Sequence, residues 1–500
     1  MSKQMPKLLA MAVLLLLPVV SQALPIDWHG SFGVDSTLIS DYRRIKAKAL
    51  NSNPATDLGT QEVPLDSGSK GSASWQSYIF KLSPTMVIND AATFFGELST
   101  GYANGGYLGD SAQTDAAAGT TVNSTTPVGA NGAPLYYHNQ ARGQSVFVKK
   151  AYLELYSDTA TYMIGRHATE WALGGIYNDG SDTWDRHASS RDGITMKLKI
   201  GNFHVSPFWS KVSNVGYTDA TNTKEYGASL LYDNQERDIA FGIMYVKKSS
   251  GSNSSEYTTT MNGGAAIAIG ETNLTVTDLY LKKVFGKFDF AAEVPLMSGD
   301  LGKTTAANAI TTYSAKAFLL QGNYKWTDTW TVGLDLGQVS GHDGSTSKFS
   351  ALYLNPNFQV ANLLFRYNMT ALGTANKAVS VYDSSITNAR YYKLRSSYNS
   401  EKWTFDSALI FAKALEVAKT GAFAYNHTTN KIFTAHTNQS DNLGTEIDFN
   451  TKYHWNKEIS IGTGLGYLLT GDYFSYTDNA SKSNEAKSSL LVQINTAVTF

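Results

Sequence analysis

The chain has no cysteine and only 11 prolines in 500 residues. The first absence excludes a disulfide framework. The second suits sheet, because proline cannot donate to a strand ladder. An excess of one charge is missing too. The 41 lysines and arginines meet 42 aspartates and glutamates, which argues against a nucleic-acid binder, for which a basic excess is expected. The longest apolar run, Leu8 to Leu17, is too short and too close to the N-terminus for a spanning helix. Nothing later supplies another run of that kind. If this chain resides in a membrane, it must cross as a closed barrel, since only helices and closed barrels satisfy their backbone groups in lipid. The nine histidines are scattered without metal-ligand spacing, and no metal or other cofactor is expected.

Lys3 and Lys7 precede the apolar stretch, and Ser21-Gln22-Ala23 places small residues after it. This is the layout of an export signal. Residues 1–23 are expected to be removed and residues 24–500 to form one barrel domain, with no linker inside it.

Aromatic residues and glycine are abundant: 29 Tyr, 22 Phe, 9 Trp and 42 Gly. The tail alternates. Leu490, Val492, Ile494, Thr496, Val498 and Phe500 share one face, while Leu491, Gln493, Asn495, Ala497 and Thr499 share the other. One face is mostly apolar and the other mostly polar, as in a strand between lipid and a wet lumen. Ile194, Met196, Leu198 and Ile200 repeat the pattern. A Gly201-Asn202 turn follows, then Phe203, Val205, Pro207 and Trp209, which reads as a hairpin. Eight such hairpins, a leading strand at 26–40 and the closing strand give 18 strands, within a range of 16 to 20. The uncertain hairpin lies at 348–369, around Asn355-Pro356-Asn357, and is better taken as part of a long loop.

Turns inside the hairpins are short, whereas segments between hairpins, such as 168–190, 341–388 and 416–441, are long. The fold class expected is therefore an all-β, transmembrane, antiparallel up-and-down barrel with short periplasmic turns and long extracellular loops. A barrel of about 16–18 strands leaves an aqueous channel. Trp326, Trp330, Trp403, Tyr453 and Trp455 cluster at the short turns, where a membrane-interface belt would sit. Cross-strand packing of the same rings is the competing explanation.

Parity directs Lys150, Lys197, Lys199, Lys393 and Arg395 inward, with Glu154, Asp289, Glu293, Asp335, Asp406, Glu446 and Asp448. Lumen charges set a field that biases which solutes pass; equally, any wet lumen needs polar side chains. The segment 166–192 is dense in Arg, His, Asp and Trp and is a candidate constriction. Arg166, Glu170, Asp185, Arg186 and Arg191 are its charged candidates, and Trp171, Tyr177 and Trp184 could stack on sugar rings. Arg–Asp pairs that merely tie the loop to its neighbours are the competing reading. Arg43, Arg44, Lys46 and Lys48 form a basic cluster in the first loop, facing lipid phosphates or the pore.

The alternating strands and the terminal Phe500 resemble the outer-membrane porin superfamily of Gram-negative bacteria. Tyr162-Met163-Ile164-Gly165-Arg166, a loop, and then Arg191-Asp192-Gly193-Ile194 are similar to alginate-export-type barrels, whose Arg-rich lumen carries an anionic polysaccharide. This chain departs from them in its mixed lumen and balanced charge. The resemblance implies an outer-membrane location and passive diffusion of small hydrophilic solutes and ions. It also implies contact with outer-membrane lipid and lipopolysaccharide, Phe500 as a signal to the barrel-assembly machinery, and a homotrimer as the assembly common among porins. The alternatives are a channel selective for sugars or anionic oligosaccharides, and a surface-interaction barrel without transport. His187-Ala188-Ser189 is similar to the His-x-Ser of outer-membrane phospholipases, but Ser190-Arg191 stands where Asn-Gly is expected. An enzyme is not expected.

Overall fold

The computed structural model describes residues 25–47, 71–101, 106–108, 146–214, 222–251, 258–259, 267–268, 271–303, 310–373, 380–478 and 484–500. The export signal and Lys48 fall outside the described residues.

Eighteen strands form one closed antiparallel barrel. They are β1 (Ile26–Ser40), β2 (Ala73–Asn89), β3 (Ala92–Thr100), β4 (Phe147–Tyr156), β5 (Ala160–Ala168), β6 (Ser190–Ile200), β7 (Phe203–Asn214), β8 (Asn222–Asn234) and β9 (Ile239–Ser250). The second half continues with β10 (Asn273–Phe285), β11 (Phe288–Lys303), β12 (Ile310–Lys325), β13 (Trp330–Val339), β14 (Ala389–Asn399), β15 (Trp403–Ala414), β16 (Asn442–His454), β17 (Ile459–Thr470) and β18 (Ser489–Thr499). Each pairs with its sequence neighbours. β18 closes on β1 from Ser31 opposite Thr499 to Ser40 opposite Leu490. The segment 348–369 adds no barrel hairpin. Its Lys348–Phe349 stretch pairs parallel with Thr312 and Tyr313.

Local chemistry explains the turns. Gly201 and Gly286 have φ of 59° with open space where a Cβ would stand. Glycine is there for its backbone conformation, as two-residue hairpins require. At the seam, Gly30 N–H donates to Phe500 O (2.8 Å) and Phe500 N–H donates back to Gly30 O (3.0 Å). A Cβ on Gly30 would lie 2.7 Å from the Phe500 ring, so the last side chain lies against this glycine.

The outer face is apolar. Ile164, Ile194, Trp209, Phe241, Leu394, Phe411, Ile447 and Ile494 are all exposed and share the outward parity of their strands. Trp326 and Trp455 are 66% exposed at the turn end. Trp403 packs on Tyr453 at 4.8 Å, a cross-strand ring contact.

The inner face is not wet throughout. Ile39, Leu319, Val339, Ile410, Leu468 and Leu491 point inward and are buried against Leu352, Leu354, Leu363 and Leu364 of the connection between β13 and β14. A smaller core joins Trp171 and Tyr177 to Phe208, Met244 and Val246. The expectation of a mostly polar lumen face is qualified at these two places, because two connections fold into the barrel and bring apolar surface with them. Each buried aliphatic side chain contributes about 1.5–3 kcal/mol.

Candidate functional site

The connection 169–189 between β5 and β6 is held by the wall. Arg186 is 4% exposed. It donates to Gly101 O (2.8 Å), Tyr78 O (3.2 Å), Ser77 Oγ (2.7 Å) and Asp35 Oδ1 (3.3 Å), and stacks over Tyr382 at 4.1 Å. Lys81 and Lys149 both donate to Gly180 O, at 2.9 and 2.6 Å. A bulge between Glu97 and Leu98 turns the successive residues Lys149 and Lys150 onto one carboxylate, Glu97, at 2.7 and 2.8 Å. Glu293 accepts Leu173 N–H (2.8 Å) and Gly175 N–H (3.1 Å). A Cβ on Gly175 would stand 2.6 Å from Leu319 and 2.8 Å from Glu293, so a larger residue there would have to displace one of these side chains.

The connection 340–388 is pinned in the same way. Glu446 accepts Leu363 N–H and Leu364 N–H at 2.6 and 2.7 Å, and Asp448 accepts Asn362 N–H at 3.0 Å. Arg44 donates to Leu363 O (2.9 Å) and lies 4.6 Å over the Phe474 ring. Phe365 has φ of 66°, a sharp reversal just before Arg366. The two connections also bond each other. Asn355 N–H donates to Gly175 O (2.7 Å), and Asn357 Nδ2 donates to His187 O (2.6 Å) and Asn178 Oδ1 (2.8 Å).

Polar cavities remain around this double insertion. One of about 240 Å³ is lined by Asp35, Trp184, Asp185, Arg186, Arg366 and Tyr382, among others. Another of about 300 Å³ shares Arg366 and adds Lys393, Arg395, Asp406 and Asp448. A third of about 350 Å³ shares Trp184 and Asp185 and reaches Lys457 and Glu458 at the short-turn end. Trp184 and Asp185 thus stand between the first and third cavities, and Arg366 between the first and second. A Cβ on Gly33 would come within 2.8 Å of the Trp184 ring; that glycine makes room for the indole. Burial pushes the Asp185 carboxyl up to about 6, against the pull of Lys81. Burial lowers His187 and takes His427 down to about 3, so His427 is neutral.

The candidates from the sequence fall into distinct places. Asp185, Lys393 and Arg395 line cavities. Arg395 binds Asp335 at 3.0 Å and lies against Gly333, where a Cβ would be 2.6 Å from its guanidinium carbon. Arg186, Arg191 and Glu293 are buried braces, and Arg186 also borders the first cavity. Arg191 lies 3.3 Å over Phe208 and 3.5 Å from Glu225. Lys197 and Lys199 face inward near the short-turn end, and Asp289 accepts from Asn323 Nδ2 at 2.6 Å. Glu170 is exposed on the inserted connection, and burial together with Asp179 and Asp182 raises its carboxyl. Arg166 is the correction: it shares the outward parity of Tyr162 and Ile164 and pairs with Asp192 at 2.7 Å. In register Gly165 faces Gly193, and a Cβ on either would collide with backbone, at 2.5 Å from Ala151 O or 2.1 Å from Trp209 O. The two glycines of the motif therefore serve close strand approach, while its Arg166–Asp192 pair stands on the outer face.

Trp171 and Tyr177 are buried in the smaller core and cannot stack on a solute. His187 Nε2 faces Tyr382 O at 3.3 Å, and Ser189 Oγ donates to Ile176 O at 3.5 Å. The two side chains engage different partners. Asp35, Arg366 and Tyr382 escaped the sequence reading. Arg366 and Tyr382 lie in the connection 340–388, where no strand parity applies.

No family model matches the chain. No curated protein matches it. Among solved structures it is similar to OccK2 (OpdF) of Pseudomonas aeruginosa, at 10% identity over 95% of this chain and 98% of that one, with a TM-score of 0.45. OccAB3 of Acinetobacter baumannii matches at 9% identity over 95% of this chain and 100% of that one, with a TM-score of 0.45. The outer membrane protein OmpT of Vibrio cholerae matches at 8% identity over 95% and 97%, with a TM-score of 0.37.

Proposed function

We propose that the chain is an outer-membrane channel through which small hydrophilic solutes diffuse, narrowed where the connections 169–189 and 340–388 meet. The supporting observation is the pair of inserted connections whose backbone N–H groups are bound by wall carboxylates, with polar cavities beside them. A barrel of this strand number has room for water, and an apolar exterior requires lipid around it. In this reading the short turns face the periplasm and the inserted connections enter from outside. A homotrimer belongs to the reading and is checked by the mass of the detergent-solubilised protein.

A preference for acidic solutes is the second reading. Arg366 is shared by two cavities, one of which also carries Lys393 and Arg395, and cationic donors bind carboxylates strongly. Liposome swelling with a monosaccharide and with its carboxylate derivative tests both readings. Both solutes are expected to enter, the acid faster, and Arg366→Gln should remove the difference while leaving the neutral sugar's entry. If neither solute enters through a folded barrel, the channel reading is wrong.

A further inference from the structure

At the barrel end opposite the short turns lies a cavity of about 290 Å³ that shares no lining residue with the three described above. Its walls come from the stretches after β1 and β17 and from the connections 340–388 and 415–441. Arg44, Tyr353, Phe365, Asp383, Asn388 and His427 are among its lining residues. Three donors there lack an acceptor among the described residues. His342 N–H donates to His427 Nε2 at 2.9 Å. A neutral imidazole accepts at one nitrogen and donates at the other, so the His427 proton sits on Nδ1. There it meets Asn388 Nδ2 at 3.3 Å. The network fixes that amide's orientation. Its Oδ1 accepts Leu415 N–H (3.2 Å) and Glu416 N–H (2.7 Å), and one Nδ2–H donates to Glu416 O (2.8 Å). The second Nδ2–H and the imidazole Nδ1–H therefore stand side by side, donor against donor. The third donor belongs to Arg44, which is 4% exposed. Its Nη2 donates to Leu363 O, while its Nε has no hydrogen-bond partner.

We propose that this cavity binds one neutral hexose unit, either a free sugar or the end of a glycan. Buried donors without acceptors are costly, and sugar oxygens supply what is missing. Charge decides against an anion. The imidazole and the amide are neutral donors, and the exposed Asp383 carboxylate on the wall repels a second carboxylate. Burial lowers the Arg44 guanidinium to about 10 and the Glu446 carboxylate pulls it back up, so Arg44 stays charged with a counter-charge already at hand. Asp383 is an acceptor for sugar hydroxyls. Tyr353 is 37% exposed and is fixed by its hydroxyl, which donates to Asn430 Oδ1 at 3.1 Å. Its ring offers the apolar surface that the C–H face of a pyranose needs. A few fixed polar groups beside such surface is how small-ligand sites are built. Binding here requires no passage through the barrel, so the inference goes beyond the transport reading and does not rest on it.

The test titrates the full-length protein, in a deuterated detergent that contains no sugar, with glucose and with glucuronate, reading binding by saturation-transfer NMR. Glucose is expected to bind saturably. Ser385 lines the cavity and supplies none of the three donors, so Ser385→Trp should fill the space and abolish that binding. His427→Leu removes the Nδ1 donor and should weaken binding about fivefold, as one neutral hydrogen bond is lost. His427→Gln keeps a carbonyl for His342 N–H and an amide N–H for the ligand, and should restore it. Heat-modifiable gel mobility confirms that each barrel is folded. No saturable glucose binding by wild type, or binding that survives Ser385→Trp, would overturn the proposal. Glucuronate binding tenfold tighter than glucose, and lost in Ser385→Trp, would overturn the neutral class. Competition by dextran, whose size keeps it outside the barrel, assigns the site to glycan ends; its failure to compete assigns the site to free sugar. Conductance separates this site from the transport reading. A silent barrel that binds glucose refutes transport alone, whereas an open channel without Ser385-sensitive binding refutes the site alone.

Discussion

At the scale of single residues, the charges divide between bracing the inserted connections and lining the cavities beside them. Arg186 spends its guanidinium on four acceptors spread over β1, β2 and the end of β3. A lysine cannot span that set. Arg186→Ala leaves Asp35 buried without its cation, at a cost of about 3–5 kcal/mol. The segment 169–189 should then become sensitive to limited proteolysis, and Arg186→Lys should not restore protection; an unchanged digestion pattern would contradict the bracing role. Glu446→Gln replaces one acceptor oxygen with a donor that faces either Leu363 N–H or Leu364 N–H, costing about 1–3 kcal/mol. The expected outcome is a noisier and larger open-channel current than wild type.

Asp185 supplies a pH dependence. Its ordinary carboxyl value is 3.8, and burial raises it to about 6. The protonated form is favoured in the folded state. The associated stability is therefore complete below 3.8 and is lost as pH rises through about 6. For conduction, the residue carries its negative charge at pH 7.5 and is neutral at pH 5. Lowering the pH across that interval should shift the reversal potential toward anion selectivity. Asp185→Asn should show the low-pH selectivity at both values. A wild type whose selectivity is flat between pH 5 and 7.5 would refute this assignment.

At the scale of elements, strands and connections differed in legibility. The leading strand and all eight hairpins could be read because alternation and turn residues are local signals, repeated every few positions. Gly201 and Gly286 show why: their positive φ is written in the residue type. The inward folding of 340–388 was hidden, since it depends on carboxylates roughly eighty residues distant, Glu446 and Asp448. A trace was nonetheless present. Adjacent apolar pairs such as Leu38-Ile39, Leu409-Ile410 and Leu490-Leu491 put a greasy side chain on the lumen face, and there the inserted leucines pack. Arg166 was misplaced because it was counted with the loop; the strand runs on to Ala168, so parity still governs it. Excising 351–386 in favour of a short Gly-Ser link removes the larger insertion, and the conductance should rise, since a barrel of this strand number has room for a wider aqueous channel. An unchanged conductance would mean that this connection does not narrow the path.

At the scale of the molecule, the barrel explains the composition. Eighteen strands closed from Ser31–Thr499 to Ser40–Leu490 leave no free edge in the main sheet, which is how a sheet avoids unpaired backbone groups in lipid. Glycines at 30, 33, 175 and 333 make room for Phe500, Trp184, Glu293 and Arg395. Large side chains are thereby accommodated without breaking the ladder.

The most direct test is single-channel recording of the purified protein in a planar bilayer. Discrete, ohmic current steps are predicted, with a reversal potential in a salt gradient that moves with pH as Asp185 titrates. A folded barrel that inserts and stays electrically silent would contradict the claim that its interior conducts.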